Sequence, residues 1–184
     1  MPRFIALLRG INVGGHNRVP MLELRSLCTG LGWDDVETYI QSGNVLFSAR
    51  GKGRRMEAAV EQAIERSFGL TIPVLVRSAA EWSKYVAGNP FPEASEQEPN
   101  KVMLALSKLP IADQAEETLQ GRAAELERVT RVGDALWVYY GGGAARTKLT
   151  PAVLDRISGS PVTTRNWRTV LKLAELAGAS VPDV

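Results

Sequence analysis

One cysteine, one histidine and a charge balance that nearly cancels set the first limits on this 184-residue chain. With Cys28 alone, no disulfide can close within the chain and no Cys/His set for zinc can be assembled. Cys28 falls on the apolar side of an expected helix, so it reads as a buried structural thiol in a reducing, cytoplasmic setting. The 22 basic and 20 acidic residues leave a formal charge of +2, which gives no strong global field for nucleic acid or an anionic membrane. Any anion site must be local. No apolar run approaches the roughly 18 residues of a membrane helix, and Phe4 to Leu8 is too short for a signal-peptide core. The patterns G-x-S-x-G and G-x-G-x-x-G are missing, which removes a hydrolase elbow and a dinucleotide fingerprint. No metal and no cofactor is called for.

What is present is enough apolar material, 45% of residues, for one domain or two small joined halves. Periodicity predicts a strand at Phe4 to Leu8, a helix at Met21 to Leu31, and two strands, Val36 to Ile40 and Val45 to Phe47, joined by a turn. A helix through Met56, Val60 and Ile64, a strand at Pro73 to Val76 and a short helix at Trp82 to Val86 complete β-α-β-β-α-β, then α. Asn89 to Asn100, with three prolines and three glutamates, reads as a linker. The same order then restarts: strand Val102 to Leu106, helix Ile111 to Leu119, strands Val129 to Val132 and Leu136 to Tyr140, a helix capped by Thr150, strand Val162 to Thr164, and a last helix capped by Asn166.

Arg77 stands four residues after Pro73, and Arg165 four after Pro161, each where a last strand meets a helix. Element order and this spacing point to an α+β tandem duplication of two ferredoxin-like halves, residues 1–92 and 101–184, with 93–100 between them. Trp82 and Trp167 lie on apolar helix faces and are expected to be mainly buried rather than to stack on bases.

Three segments carry a resemblance: "LLRGINVGGHNRVPM", "YIQSGNVLF" and "TTRNW". In these the chain resembles the DUF1697 family, bacterial proteins of uncharacterised function, over Arg3 to Ala177. The resemblance implies tandem α+β halves whose strands join in one barrel-like sheet. Many relatives carry Lys where this chain has His16, so the resemblance gives no fixed positive charge there.

Chemistry concentrates where these segments fall at element junctions. In the first, Arg9, Asn12, Gly14, Gly15 and Asn17 form a donor-rich loop leading into a helix start, where free N–H groups and the helix dipole favour an anion. Gly10 and Gly15 have P-loop spacing, but His16 and Asn17 follow where Lys and Ser/Thr would have to stand, so a nucleoside-triphosphate loop loses its mechanism. Gln41, Ser42 and Asn44 occupy the hairpin turn, Arg165 the last junction, and Arg146 and Lys148 a basic loop after Gly141 to Gly143. The plain alternative is local: turn chemistry for Ser42 to Asn44, a cap for Asn166, solvated charge for Arg146 and Lys148.

Catalytic groups are scarce. His16 reads as an exposed loop residue, Asp34 and Asp35 as turn residues, and Glu23 as first-turn helix stabilisation rather than a base. The leading expectation is binding of a phosphorylated or other anionic ligand, a nucleotide or nucleic-acid segment included, by Arg9, Asn12, Gln41, Asn44 and Arg165. An enzyme acting on a phosphorylated small molecule is the alternative. A third reading makes the same residues structural glue, with Arg165 satisfying buried groups instead of standing exposed to a ligand. Oligomeric state is not legible.

Overall fold

The computed structural model describes residues 1–143, 145 and 147–180. The first series of elements is β1 (Arg3–Leu8), α1 (Met21–Gly30), β2 (Asp34–Tyr39), β3 (Asn44–Ser48), α2 (Gly53–Phe68), β4 (Val74–Ser78) and α3 (Ala79–Ala87). After α4 (Pro92–Gln97) the series repeats as β5 (Val102–Ser107), α5 (Ala115–Gln120), β6 (Glu127–Val132), β7 (Ala135–Tyr140), α6 (Pro151–Ser158), β8 (Val162–Asn166) and α7 (Trp167–Ala177). The stretch expected as a linker thus folds in part as α4, with Pro92 at its first turn.

Each series builds one antiparallel sheet, in the orders β2-β3-β1-β4 and β6-β7-β5-β8. β1 is an inner strand whose residues Phe4 to Leu8 are all buried, which is why it reads as an unbroken apolar run rather than an alternation. One face, through Phe4, Ala6, Leu8, Val45, Phe47, Val74 and Val76, packs under Leu24 and Cys28 of α1 and Val60 and Ile64 of α2. Trp33 stacks on Phe47 with ring centroids 3.8 Å apart, closing the end of that core. In the second sheet Ala105, Leu136, Val138 and Val162 pack with Leu119 and Leu154 in the same way.

The two sheets share a register that fits a duplication. Ile5 lies opposite Arg77, and Leu104 opposite Arg165. The Arg9 amide donates to Pro73 O (3.0 Å), as the Lys108 amide does to Pro161 O (3.0 Å). Arg77 Nη1 donates to Val76 O (3.0 Å), and Arg165 Nη1 to Thr164 O (2.8 Å). The proline and arginine spacing in the sequence therefore marks one repeated strand-end arrangement.

The sheets are separate and do not close into one barrel, contrary to the expectation from resemblance. The outer strands explain this. On β4 the outward amides of Val74 and Val76 donate to carboxylates of α2, Glu61 Oε1 (2.8 Å) and Glu57 Oε1 (2.9 Å), so no further strand is needed to satisfy them. On β8 the Val162 amide donates to Asp155 Oδ1 of α6 (2.8 Å). The opposite edges are charged: β2 carries exposed Asp34, Asp35 and Glu37 with a break in register between Asp34 and Glu37, and β6 carries Arg128 and Arg131. Charge and bulges are what keep sheet edges from pairing.

Helix ends follow the sequence closely where the signal is local. Thr150 Oγ1 accepts from the Val153 amide with Pro151 behind it, and Asn166 Oδ1 accepts from the Thr169 amide (2.9 Å). α5 is shorter than Ile111 to Leu119 implied, because the Ala112 amide is drawn to Ser158 O at the end of α6 (3.2 Å). The chain divides into two compact units: residues 1–83 with the stretch from Leu173, and residues 84–172. Trp82 is fully buried; Trp167 is half-buried and meets Trp137 edge-on at 5.7 Å.

Candidate ligand site

In the first unit the chain leaves β1 with two backbone bonds: the Leu8 amide to Gly43 O (2.8 Å) and the Arg9 amide to Pro73 O. Ile11 and Val19 are buried and anchor the loop between β1 and α1 to the core, while Val13 to Arg18 stand exposed. Between the anchors the loop is a small hairpin. The Asn12 amide donates to Asn17 O (3.1 Å) and the His16 amide to Val13 O (3.0 Å). Gly14 and Gly15, at φ 57° and 80°, take the two left-handed positions that such a two-residue turn requires. This is why the sequence needs the glycine pair there. It is a turn and not a phosphate-cradling P-loop.

The asparagines hold the hairpin in place. Asn12, at φ 55°, donates from Nδ2 to Val19 O (3.0 Å) and Gln41 O (2.9 Å), and its Oδ1 accepts from the Val19 amide (2.9 Å). Asn17, at φ 48°, donates to Gly10 O (3.0 Å). Asn12 therefore joins the first signature segment to the second, where Asn44, fully buried, donates to Tyr39 O (2.9 Å) and Ser42 Oγ (3.1 Å). Ser42 is half-buried and the Gln41 side chain exposed. The amide donors that the sequence offered to a ligand are thus, for Asn12, Asn17 and Asn44, directed at the protein's own carbonyls.

What faces solvent is different. Gln41, His16 and Arg18 are exposed, and Arg9 is half-buried. Among the described residues, the amides of Gly14 and Gly15 and the side chains of His16 and Arg18 make no hydrogen bond, although the carbonyls of Gly10, Val13, Asn17, Val19 and Gln41 all accept one. The hairpin tip thus presents N–H donors and a cation to solvent. Arg18 was not among the sequence candidates; the signal for it was a cation placed directly before Val19-Pro20 at the helix start.

The remaining candidates differ in exposure. Arg165 belongs to the second unit, is only 8% exposed, and donates to Thr164 O; burial lowers its guanidinium to about 10, so it stays charged at neutral pH. An exposed donor it is not. Lys148 is exposed beside buried Leu149, whose amide donates to Thr147 Oγ1 (3.0 Å), and Arg146 lies outside the described residues. Glu23 is exposed in the first turn of α1. Asp34 and Asp35 open β2 rather than form a plain turn, and Asp35 accepts from Ser48 Oγ (3.1 Å). Cys28 is buried and its thiol is pushed up to about 12 by desolvation. No group of three or more His, Cys, Asp or Glu able to hold a metal occurs among the described residues.

The family model described as "Protein of unknown function (DUF1697)" matches residues 1–137. The chain belongs to the DUF1697 family. The match takes in the first two signature segments and stops short of "TTRNW". No curated protein matches the chain. Among solved structures, it is similar to the conserved bacterial protein SP0830 from Streptococcus pneumoniae, at 22% identity and a TM-score of 0.76 over 96% of this chain and 98% of that one. That likeness is one of fold. No helix among the described residues of this DUF1697 protein is long and apolar enough to cross a membrane.

Proposed function

We propose that this DUF1697 protein binds a phosphorylated or otherwise anionic ligand at the hairpin between β1 and α1. The observation that carries the reading is the exposed hairpin tip, where the Gly14 and Gly15 amides and the side chains of His16 and cationic Arg18 stand without partners among the described residues. Exposed donors and a cation on a framework fixed by Asn12 and Asn17 suit an anionic group. Arg9 and Gln41 flank it in the same unit, and Arg9 adds a cation at the end of β1. A nucleotide or sugar phosphate is the size of ligand that suits so small a surface.

A second reading, structural for Asn12, Asn17 and Asn44, rests on their bonds to backbone, and it is compatible with the first because it leaves the tip of the hairpin free to bind. The shared register of Arg9 with Lys108 and Arg77 with Arg165 supports descent of both halves from one duplicated unit. Thermal and denaturant melts against nucleotides, sugar phosphates, polyphosphate and short oligonucleotides test the binding. A true ligand at a hundredfold excess over its Kd stabilises the fold by about 2.7 kcal/mol. Arg18→Ala with Gln41→Ala should abolish that gain. A panel without any stabilising anion, or a gain untouched by the double substitution, overturns the proposal.

A further inference from the structure

Away from the hairpin, the first unit carries a run of cations that neither the sequence candidates nor the proposed site includes. In "ARGKGRRM", Arg50, Lys52, Arg54 and Arg55 place four positive charges within six residues of a chain whose net charge is only +2. All four are exposed, and among the described residues none makes an ion pair or hydrogen bond through its side chain. Single cations such as Arg18 and Lys148 also lack partners among the described residues, but four together do not recur, and several cations elsewhere are engaged. Arg3 meets Glu37 (2.5 Å), Arg77 meets Glu57 (3.5 Å), Lys101 meets Glu98, and Arg128 donates to Glu125 O (2.6 Å). The neighbouring acids have other partners, Asp35 with Ser48, Glu37 with Arg3, Glu57 with Arg77 and the Val76 amide, and Glu61 with the Val74 amide, while Asp34 stands exposed.

The position sharpens the point. The run leads into the first turn of α2, a 16-residue helix with no side-chain cap and no acidic residue in its first turn. Cations at a helix N-terminus are placed against its dipole, where folding alone favours Asp or Glu. The helix dipole therefore does not account for Arg54 and Arg55. Three of the four cations are arginines, whose planar fork suits phosphate oxygens. Exposed Met1 stands near the run, next to Pro2, whose carbonyl accepts from the Ala49 amide (3.2 Å), but one apolar side chain makes no amphipathic face for a lipid surface. There is also no aromatic residue between Ser48 and Ser67 to stack on a base.

We infer that Arg50, Lys52, Arg54 and Arg55 form a docking face for the phosphodiester backbone of nucleic acid, held by charge and without base readout. Binding of this kind releases counterions, so its signature is the salt dependence. The test is fluorescence anisotropy of a fluorescein-labelled 20-base-pair duplex with the full chain, from 20 to 200 mM salt (roughly the range over which such binding fades). We expect a log–log slope of about −3 to −4, falling by about one for each of Arg54→Ala and Arg55→Ala and nearly to zero with Arg50→Gln and Lys52→Gln added. Arg54→Lys should keep the slope. Circular dichroism checks that the exposed substitutions leave the fold intact. Arg18→Ala with Gln41→Ala, which acts on the hairpin, should leave duplex binding unchanged, so the two proposals can fail separately. Absence of duplex binding at the lowest salt, a slope unaffected by the quadruple change, or capture by phosphatidylserine vesicles in place of duplex overturns the inference.

Discussion

Gly43 and Ile11 stand so close that a Cβ atom on the glycine would lie 2.7 Å from Ile11 Cδ1, with Leu8 Cβ at 2.8 Å on the other side. Gly43 also sits at φ 81° and gives its carbonyl to the Leu8 amide. Gly43→Ala should therefore cost about 2–4 kcal/mol, combining the left-handed backbone with overpacking. Gly10→Ala and Gly15→Ala, left-handed but facing open space, should cost only about 1–2 kcal/mol. Urea melts of the three variants check this, and equal losses would show that packing against Ile11 is unimportant.

Asn12 occupies a left-handed position and closes three hydrogen bonds at once. Asn12→Ala leaves Val19 and Gln41 with unmet backbone groups and should lower stability by about 1–3 kcal/mol. Asn12→Asp should fare no better, because a carboxylate cannot donate to the two carbonyls it would face. A midpoint within error of wild type for both variants would remove Asn12 from the framework of the hairpin.

For Arg165 the structure reverses the expectation of an exposed donor. Arg165→Ala should cost about 1–3 kcal/mol by leaving buried groups unpaired, whereas Lys148→Ala on the surface should stay within about 0.5 kcal/mol. Denaturant midpoints compare the two directly. An Arg165→Ala protein as stable as Lys148→Ala would return Arg165 to the list of ligand residues.

Alkaline pH should unfold the protein in a defined window. Burial raises Cys28 from 9.0 and Tyr140 from 10.0 to about 12 each, so the unfolded chain loses these protons first. Protons are then held more tightly by the folded state. The associated stability is complete below about pH 9 and drains away as the pH rises towards 12. Cys28→Ala should flatten the early part of that decline. Melts between pH 8 and 11 measure it, and native Cys28 should resist thiol reagents at pH 8 until denaturant is added.

The sequence is legible wherever the determinant is local. Thr150, Pro151 and Asn166 mark helix starts through bonds only three residues long, and the structure has them as read. The strands of both halves follow from apolar runs in the same way. Sheet edges are another matter. Whether β4 stays an edge depends on Glu57 and Glu61, which lie on α2 well over ten residues from the amides they satisfy, and no periodicity reveals that. The candidate site divides along the same line. Asn12 and Asn44 look alike in sequence to ligand donors because their partners, Gln41 O and Tyr39 O, become neighbours only once the hairpin and turn are folded. The exposed Arg50 to Arg55 run needed no structure to be seen, only attention to charge density over six residues.

The division of α7 has a consequence for how the chain emerges from the ribosome. The unit that begins at Met1 includes the residues from Leu173 onward, so it lacks part of its own material until some ninety residues of the other unit have been made. At about 5–20 residues per second that interval is roughly 5 to 20 s. A chain that stops before Leu173 therefore lacks residues of the unit that begins at Met1, so such a stop removes material from the half synthesised first as well as from the end of the chain.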